Sequence, residues 1–132
     1  MKAERHRAKA ERLEASLAKC APGDYEMIID GAMLAATHWI NHAFHVLELT
    51  DDESDVVHAY FETAFDRQHF GLVAGAEFLD GLDEIETLRP LHARGNVKGG
   101  EAAGRRALEV LQGIREKALA LGPGAAAADE PY

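Results

Sequence analysis

The sequence has little of what several classes of protein require. It contains a single cysteine, Cys20, so no internal disulfide can form, and we expect a cytoplasmic protein. It has no run of about 18 uncharged apolar residues, so we expect no membrane span. Residues 1–7 are too charged for a secretory signal. Strand-forming residues are scarce, while Ala, Leu and Glu are abundant, which predicts helix throughout.

Basic residues are too few for a protein that binds duplex DNA with a broad face. The net charge is −9, with 14 Lys and Arg against 23 Asp and Glu. Residues 1–20 carry an excess of three positive charges (six Lys and Arg against three Glu) and the remainder carries −12, and the alternating charges in 1–20 are typical of a solvated helix face. Because phosphate contacts need clustered Lys and Arg, we expect no broad duplex-binding surface.

Apolar residues recur at spacings of three and four, the pattern of amphipathic helices. We predict one all-α domain over residues 1–121, an up-and-down antiparallel bundle of four to five helices, and a disordered tail at 122–132. The predicted helical segments are 2–20, 25–49, 52–70, 74–79, 82–88 and 101–121, with a turn at 80–81. The second of these is apolar over most of its circumference, so it should lie at the centre of the bundle.

The predicted third helix begins at a capping-box pattern, Thr50 followed three residues later by Glu53. Helical spacing then predicts that its apolar side chains are buried. They are Val57, Tyr60, Phe61, Ala64 and Phe65.

Two parts of the chain resemble HEPN domains (higher eukaryotes and prokaryotes nucleotide-binding). The letters GDYE at 23–26 lead into AMLAATHWINHA at 32–43, similar to the family's second helix. LR at 88–89, HARG at 92–95 and EAA at 101–103 are similar to its last loop and helix. The likeness covers about residues 8–120 and rests on helix order and residue pattern.

The resemblance implies a bundle that pairs as a homodimer, in toxin–antitoxin, defence or nucleotidyltransferase-partner systems. Active members of the family resemble one another in carrying a metal-independent ribonuclease motif, in which an Arg is followed four to six residues later by a His. No Arg of this chain has that spacing; the nearest pair is Arg89 with His92. Cleavage by 2′-hydroxyl attack needs an acid–base group and a cation at the phosphorane, held in fixed geometry. We therefore expect a non-catalytic member.

The loop from Arg89 to Lys98 collects polar and cationic side chains near the start of the last helix. Together with the backbone N–H groups and the dipole of that helix, they favour a phosphate. The candidate phosphate-binding residues are Arg89, Arg94, Asn96 and Lys98. In a catalytic alternative, His92 is the acid or base and Arg89 or Arg94 clamps the phosphate. The structural alternative is a helix connection with surface ion pairs.

Histidines recur on one side of the second predicted helix. This polar stripe comprises His38, Asn41, His42 and His45. On the third predicted helix, His58 and Glu62 are four residues apart, so two antiparallel helices could offer four ligands to zinc or another transition metal. The candidate ligands are His38, His42, His58 and Glu62. Alternatively, the stripe lines a groove or a dimer seam, and its imidazoles bond one another, Asn41 and backbone groups.

Three hypotheses of function stay open. The leading one is a HEPN-like, homodimeric, non-catalytic module without a cofactor, which binds a nucleotide or a partner such as an antitoxin or a nucleotidyltransferase-like protein. The second helix has more apolar surface than one small monomer can cover, and dimerisation would bury the remainder. The alternatives are a HEPN-type ribonuclease of altered geometry and a metal-binding bundle.

Overall fold

The computed structural model describes residues 1–121, which form five α-helices and no strand, as the composition predicts. The helices are α1 (Ala3–Leu17), α2 (Tyr25–Val46), α3 (Ala64–Ala74), α4 (Glu77–Leu88) and α5 (Gly100–Ala120). A 3₁₀ turn, Ala59–Phe61, precedes α3, and a π-helical turn, Arg89–Ala93, follows α4. None of these helices is long and apolar enough to cross a membrane. The tail predicted at 122–132 lies outside the described residues.

The first two helices form an antiparallel pair. Leu17, the last residue of α1, packs against Gly31 in the first half of α2. Ala3, the first residue of α1, accepts a hydrogen bond through its carbonyl oxygen from His42 near the end of α2. The side chains of α1 therefore meet those of α2 in reverse order, which later determines which histidines approach one another.

The last two long helices complete the up-and-down arrangement. The Glu77 carboxylate at the start of α4 is 2.8 Å from Lys117 Nζ near the end of α5, so the two helices are antiparallel. Gly100, the first residue of α5, lies so close to the Tyr25 ring at the start of α2 that an added Cβ would overlap it. The helices α2 and α5 therefore run in the same direction, and α1 and α4 run opposite to them.

The helix α2 lies at the centre of the bundle, in contact with α1, α4 and α5, which confirms its predicted position. Trp39 and Phe44 are buried within it. Only Met27 and Leu34 are large apolar side chains of α2 that stay exposed. One chain thus covers most of the apolar surface on which the homodimer prediction depends, and dimerisation itself stays a prediction.

The prediction of a third helix over 52–70 is wrong at its start. The capping box does not form, because the Asp51 carboxylate accepts a hydrogen bond of 2.9 Å from the Glu53 N–H and closes a turn instead. The N-cap that operates is Thr63, whose Oγ1 accepts a hydrogen bond of 3.0 Å from the Asp66 N–H. The α-helix therefore starts only at Ala64.

A side chain of α2 holds the preceding segment, 51–58, out of a helix. Asn41 Nδ2 donates to the Val56 carbonyl oxygen at 2.7 Å, and the Val56 N–H donates to Asn41 Oδ1, also at 2.7 Å. This pair of bonds, the Asn41 clamp, uses both backbone groups that a helical ladder would need. Two adjacent β-branched residues, Val56 and Val57, also favour an extended backbone.

Three aromatic side chains predicted to be buried are exposed. Tyr60, Phe61 and Phe65 are 62%, 67% and 78% exposed, and Val57 and Ala64, also predicted to be buried, are exposed as well. They do not share one helix face, because the 3₁₀ turn and the loop to Ala64 interrupt the helical spacing on which the prediction rested.

The prediction of a turn at 80–81 is also wrong. The two short helices predicted at 74–79 and 82–88 are replaced by a single helix, α4, which begins at Glu77 and continues through 80–81 to Leu88. Gly81 stays helical because Val110 and Ile114 of α5 pack directly over it. A Cβ at this position would lie 3.0 Å from Ile114 Cδ1 and 3.1 Å from Val110 Cγ1. The glycine thus permits close packing of two helices and does not end one.

Candidate metal centre

A cluster of imidazoles and one carboxylate forms where α1, α2 and the 51–58 segment meet. Because α1 and α2 are antiparallel, His6 near the start of α1 lies opposite His38 and His45 of α2. The Asn41 clamp fixes the 51–58 segment across them, which places Asp55 at the open side of the cluster. His6 and His45 are buried, whereas the Asp55 side chain is 31% exposed.

Two imidazole nitrogens point at the same carboxylate oxygen. His6 Nε2 lies 2.9 Å and His45 Nε2 lies 2.7 Å from Asp55 Oδ1. These ligand atoms all lie within 4.8 Å of one another. The second carboxylate oxygen, Oδ2, is 3.4 Å from the amino nitrogen of Met1. The three side chains provide two nitrogen donors and one oxygen donor, a set that zinc, iron and related metals bind.

Neutral imidazoles account for the four shortest hydrogen bonds of the cluster. If His6 and His45 each donate from Nε2 to Asp55, the Nδ1 atom of each must accept. His38 Nδ1, 2.8 Å away, can donate to His6 Nδ1. Thr50 Oγ1, 2.7 Å away, can donate to His45 Nδ1. These four hydrogen bonds can therefore all form without a bound cation.

The protein environment favours the protonation states that metals bind. Burial lowers the pKa of His6, and burial together with the neighbouring His6 and Lys9 lowers the pKa of His38 to about 4. Burial alone would raise the pKa of Asp55, but hydrogen bonds from His6 and His45 outweigh it and hold that pKa below its ordinary value. At neutral pH, His6 and His38 are neutral and Asp55 is ionised, as metal coordination requires.

Both ligating histidines have an acceptor for the proton that metal binding would displace. If His6 binds a metal through Nε2, the single proton of its neutral ring lies on Nδ1. That N–H can donate a hydrogen bond to His38 Nδ1. For His45, the acceptors are Thr50 Oγ1 at 2.7 Å and the Thr50 carbonyl oxygen at 3.3 Å. Such outer hydrogen bonds fix the tautomer of metal-bound histidines in known sites.

Two depressions adjoin the cluster on different sides. A cavity of about 260 Å³ is lined by His6, His38 and Asp55 at its polar end. A larger surface depression of about 710 Å³ reaches His45 and is otherwise rich in carboxylates. Its acidic residues are Glu48, Asp51, Asp52 and Glu53.

The structure does not bring the predicted four-ligand set together. Within residues 1–121, the metal-capable group comprises His6, His45 and Asp55. His58 and Glu62 precede α3 and flank the 3₁₀ turn, so they do not lie on one helix face. His58 instead faces the buried carboxylate of Glu86, at 3.6 Å.

Members of the polar stripe have separate partners. His38 contacts His6, and Asn41 forms the clamp on Val56. His42 is buried, and its Nδ1 donates to the Ala3 carbonyl oxygen at 2.8 Å. The other ring nitrogen of His42 is buried with no hydrogen-bond partner in the described part of the chain.

The predicted phosphate loop has fewer available cations than its sequence indicates. Arg89 Nε donates to Asp30 of α2 at 2.8 Å, so its charge is paired. His92 is buried, with Nδ1 3.0 Å from the Val97 carbonyl oxygen. The remaining candidates, Arg94, Asn96 and Lys98, are exposed.

Sequence reasoning missed His6 and Asp55. A signal for His6 exists, because it lies four residues before Ala10 and eleven before Leu17, on the apolar stripe of α1. A histidine on a buried stripe needs polar partners, so it points to a buried polar cluster. The sequence places Asp55 three residues before His58, at helical spacing, but that pattern pairs it with His58 and not with His6 and His45.

Comparison with models of protein families, with curated proteins and with solved structures finds no match to this chain. The resemblance to HEPN domains therefore stays a prediction, and the functional argument depends on the geometry of the site.

Proposed function

We propose that this protein binds a divalent transition metal through His6 Nε2, His45 Nε2 and a carboxylate oxygen of Asp55. The observation that supports the proposal is the convergence of the two imidazole nitrogens on one carboxylate oxygen, at 2.9 and 2.7 Å. Ligands 2.0–2.2 Å from zinc in a tetrahedral site are about 3.3–3.6 Å apart. Asp55 Oδ1 therefore needs to move away from each imidazole nitrogen by only about 0.4–0.9 Å, and Asp55 is the exposed member of the group.

A centre with three protein ligands leaves coordination positions for water or another small molecule. Closed structural zinc sites have four protein ligands, whereas catalytic zinc sites and two-histidine, one-carboxylate iron sites keep open positions. The partial exposure of Asp55 fits the second class. A metal held there would act as a Lewis acid on an oxygen donor and lower the pKa of a bound water.

The charge around the site favours entry of a cation. His45 lines the same depression as four acidic residues, Glu48, Asp51, Asp52 and Glu53. A concave surface lined by one sign of charge raises the local concentration of counter-ions and their rate of association. In residues 89–98, by contrast, Arg89 is paired with Asp30. The nucleotide-binding, partner-binding and ribonuclease hypotheses remain predictions. The geometry of the described residues favours the metal site.

Calorimetric titration of the untagged protein with Zn²⁺, and in parallel with Fe²⁺ under anaerobic conditions, tests the proposal. We expect one equivalent to bind per chain. Asp55→Asn keeps the size of the side chain and removes its charge, and His45→Ala removes one imidazole. Each should weaken binding at least tenfold, in the range seen when metal-site residues or their supporting partners are removed.

The matched control is His69→Ala, because His69 is exposed on α3 and lies outside the cluster. This variant should bind the metal as the unaltered chain does. Circular dichroism establishes that each variant is folded before titration. Binding that is unchanged in both Asp55→Asn and His45→Ala, or lost equally in His69→Ala, refutes the proposal.

A further inference from the structure

The cavity beside the metal centre has the composition of a small-molecule site. Its lining includes the polar side chains of His6, His38 and Asp55, and apolar side chains of α2 and of the 51–58 segment. The apolar wall comprises Met33, Leu34, Val56 and Val57. Ligand sites in proteins combine a mostly apolar lining with a few polar groups that fix orientation. At about 260 Å³, the cavity is smaller than the roughly 300–1,000 Å³ of drug-sized sites, so its ligand must be small.

A second polar group faces the same cavity. His58 lines it, and its ring is stacked on Tyr60, with 4.6 Å between ring centroids and 13° between planes. His58 Nδ1 lies 3.6 Å from Glu86 Oε2, too far for a hydrogen bond, and both atoms are buried without a partner in the described residues. An unprotonated Nδ1 accounts for this contact and places the single proton of the neutral ring on Nε2, where it can be donated to a ligand. Glu86 is itself held in place, because its Oε1 accepts a hydrogen bond of 2.8 Å from the Ala59 N–H. Stacking on Tyr60 thus holds the plane of the imidazole ring.

We infer that this cavity binds a small aliphatic carboxylate, with its head group on the metal and its hydrocarbon chain against the apolar wall. The inference rests on the proposed metal centre. One carboxylate oxygen occupies an open coordination position beside Asp55, and the other accepts a hydrogen bond from His58 Nε2. The chain lies along Leu34 and Val57, and its length is limited by the size of the cavity.

The probe is hexanoate, titrated calorimetrically into protein whose zinc content has first been measured. Acetate, which has the head group alone, is the matched ligand control. Each methylene buried on binding contributes about a fourfold gain in affinity, so hexanoate should bind at least tenfold more tightly than acetate. Zinc-free protein should bind hexanoate at least tenfold more weakly than zinc-loaded protein.

Variants locate the site. Leu34→Trp fills the cavity from a position that is 46% exposed and should weaken hexanoate binding at least tenfold. His58→Gln should weaken it severalfold. Leu72→Trp, at an 80% exposed position on α3 outside the cavity, is the control and should change nothing. All three variants should keep the zinc affinity of the unaltered chain.

The possible failures are distinguishable. Protein that takes up no zinc refutes the proposed function and this inference together. Zinc binding with hexanoate no tighter than acetate, or with unchanged hexanoate affinity in Leu34→Trp or in zinc-free protein, overturns the carboxylate site alone and leaves the metal centre intact.

Discussion

The Asn41 clamp gives a prediction that joins the fold to the site. Replacing Asn41 by Leu keeps a side chain of similar size and removes both hydrogen bonds to Val56, each 2.7 Å long. Asn41 is 1% exposed, and the Val56 side chain is also buried, so water cannot easily replace the lost partners. The buried N–H and C=O of Val56 are then left without partners.

A buried backbone group without a partner costs about 1–3 kcal/mol, so two of them predict a loss of about 2–6 kcal/mol in the free energy of unfolding. With an m-value of about 1.5 kcal/mol/M, the urea midpoint should fall by about 1.3 to 4 M. Because Asp55 precedes Val56, the zinc affinity should also fall at least tenfold, although no ligand has been changed. Urea denaturation followed by circular dichroism and zinc calorimetry measure the two effects.

The matched control is Asn96→Leu, since Asn96 is the other asparagine of the chain and is exposed. Its urea midpoint and zinc affinity should stay within error of those of the unaltered chain. An Asn41→Leu protein with an unchanged midpoint refutes the reasoning on the clamp. A lowered midpoint with unchanged zinc affinity shows that the clamp stabilises the fold without positioning Asp55.

Three further predictions concern other parts of the chain. Burial raises the pKa of Glu86 above its ordinary value of 4.5. As pH rises from 4.5 through the raised value, Glu86 ionises first in the unfolded chain, so the folded state loses stability. Glu86→Gln should abolish this decline in urea midpoints measured against pH. Gly113→Ala, at an open helical position, should raise the free energy of unfolding by about 1 kcal/mol. Gly95→Ala should lower it by about 1–3 kcal/mol, because the added Cβ would lie 2.9 Å from two carbonyl oxygens. Thermal denaturation measures both changes. Neutralising Asp52 and Glu53 together should slow zinc association in stopped-flow experiments at low salt, with little difference at about 1 M salt, where charges are screened beyond about 3 Å.

Each of these has an outcome that contradicts it. Parallel pH profiles of Glu86→Gln and the unaltered chain show that Glu86 ionises alike in both states, and Glu26→Gln, at an exposed position, is the control. Equal thermal shifts for the two glycine variants contradict the distinction between open and crowded positions. Zinc association rates that do not depend on salt contradict steering by the acidic depression.

Local patterns in the sequence account for most of the fold. The predicted α2 differs from the observed helix only in its last turn, because a 22-residue apolar rod bounded by Pro22, Gly23 and Asp24 is a strong signal. The segment 52–70 failed for a reason that no local pattern contains. A side chain fifteen residues earlier, Asn41, captures the Val56 backbone, and this tertiary contact outweighs the capping box at Thr50.

The site was predictable only in part for a similar reason. The periodicity of α2 places His38 and His45 on one side of a helix, which the sequence indicates directly. Their contacts with His6 and Asp55 depend on the pairing of α1 with α2 and on the clamped segment. His6 is 32 residues from His38 and 49 from Asp55, so only the packed structure shows that they meet.

X-ray absorption at the zinc edge of the zinc-loaded protein tests the central claim most directly. We expect four or five nitrogen and oxygen neighbours at about 2.0–2.2 Å, including two imidazoles recognised by outer-shell scattering from their rings. The imidazole signal should fall to one ring in His45→Ala. A spectrum of zinc surrounded by water oxygens alone, without imidazole scattering, or one with sulfur from Cys20 in the first shell, would contradict the account.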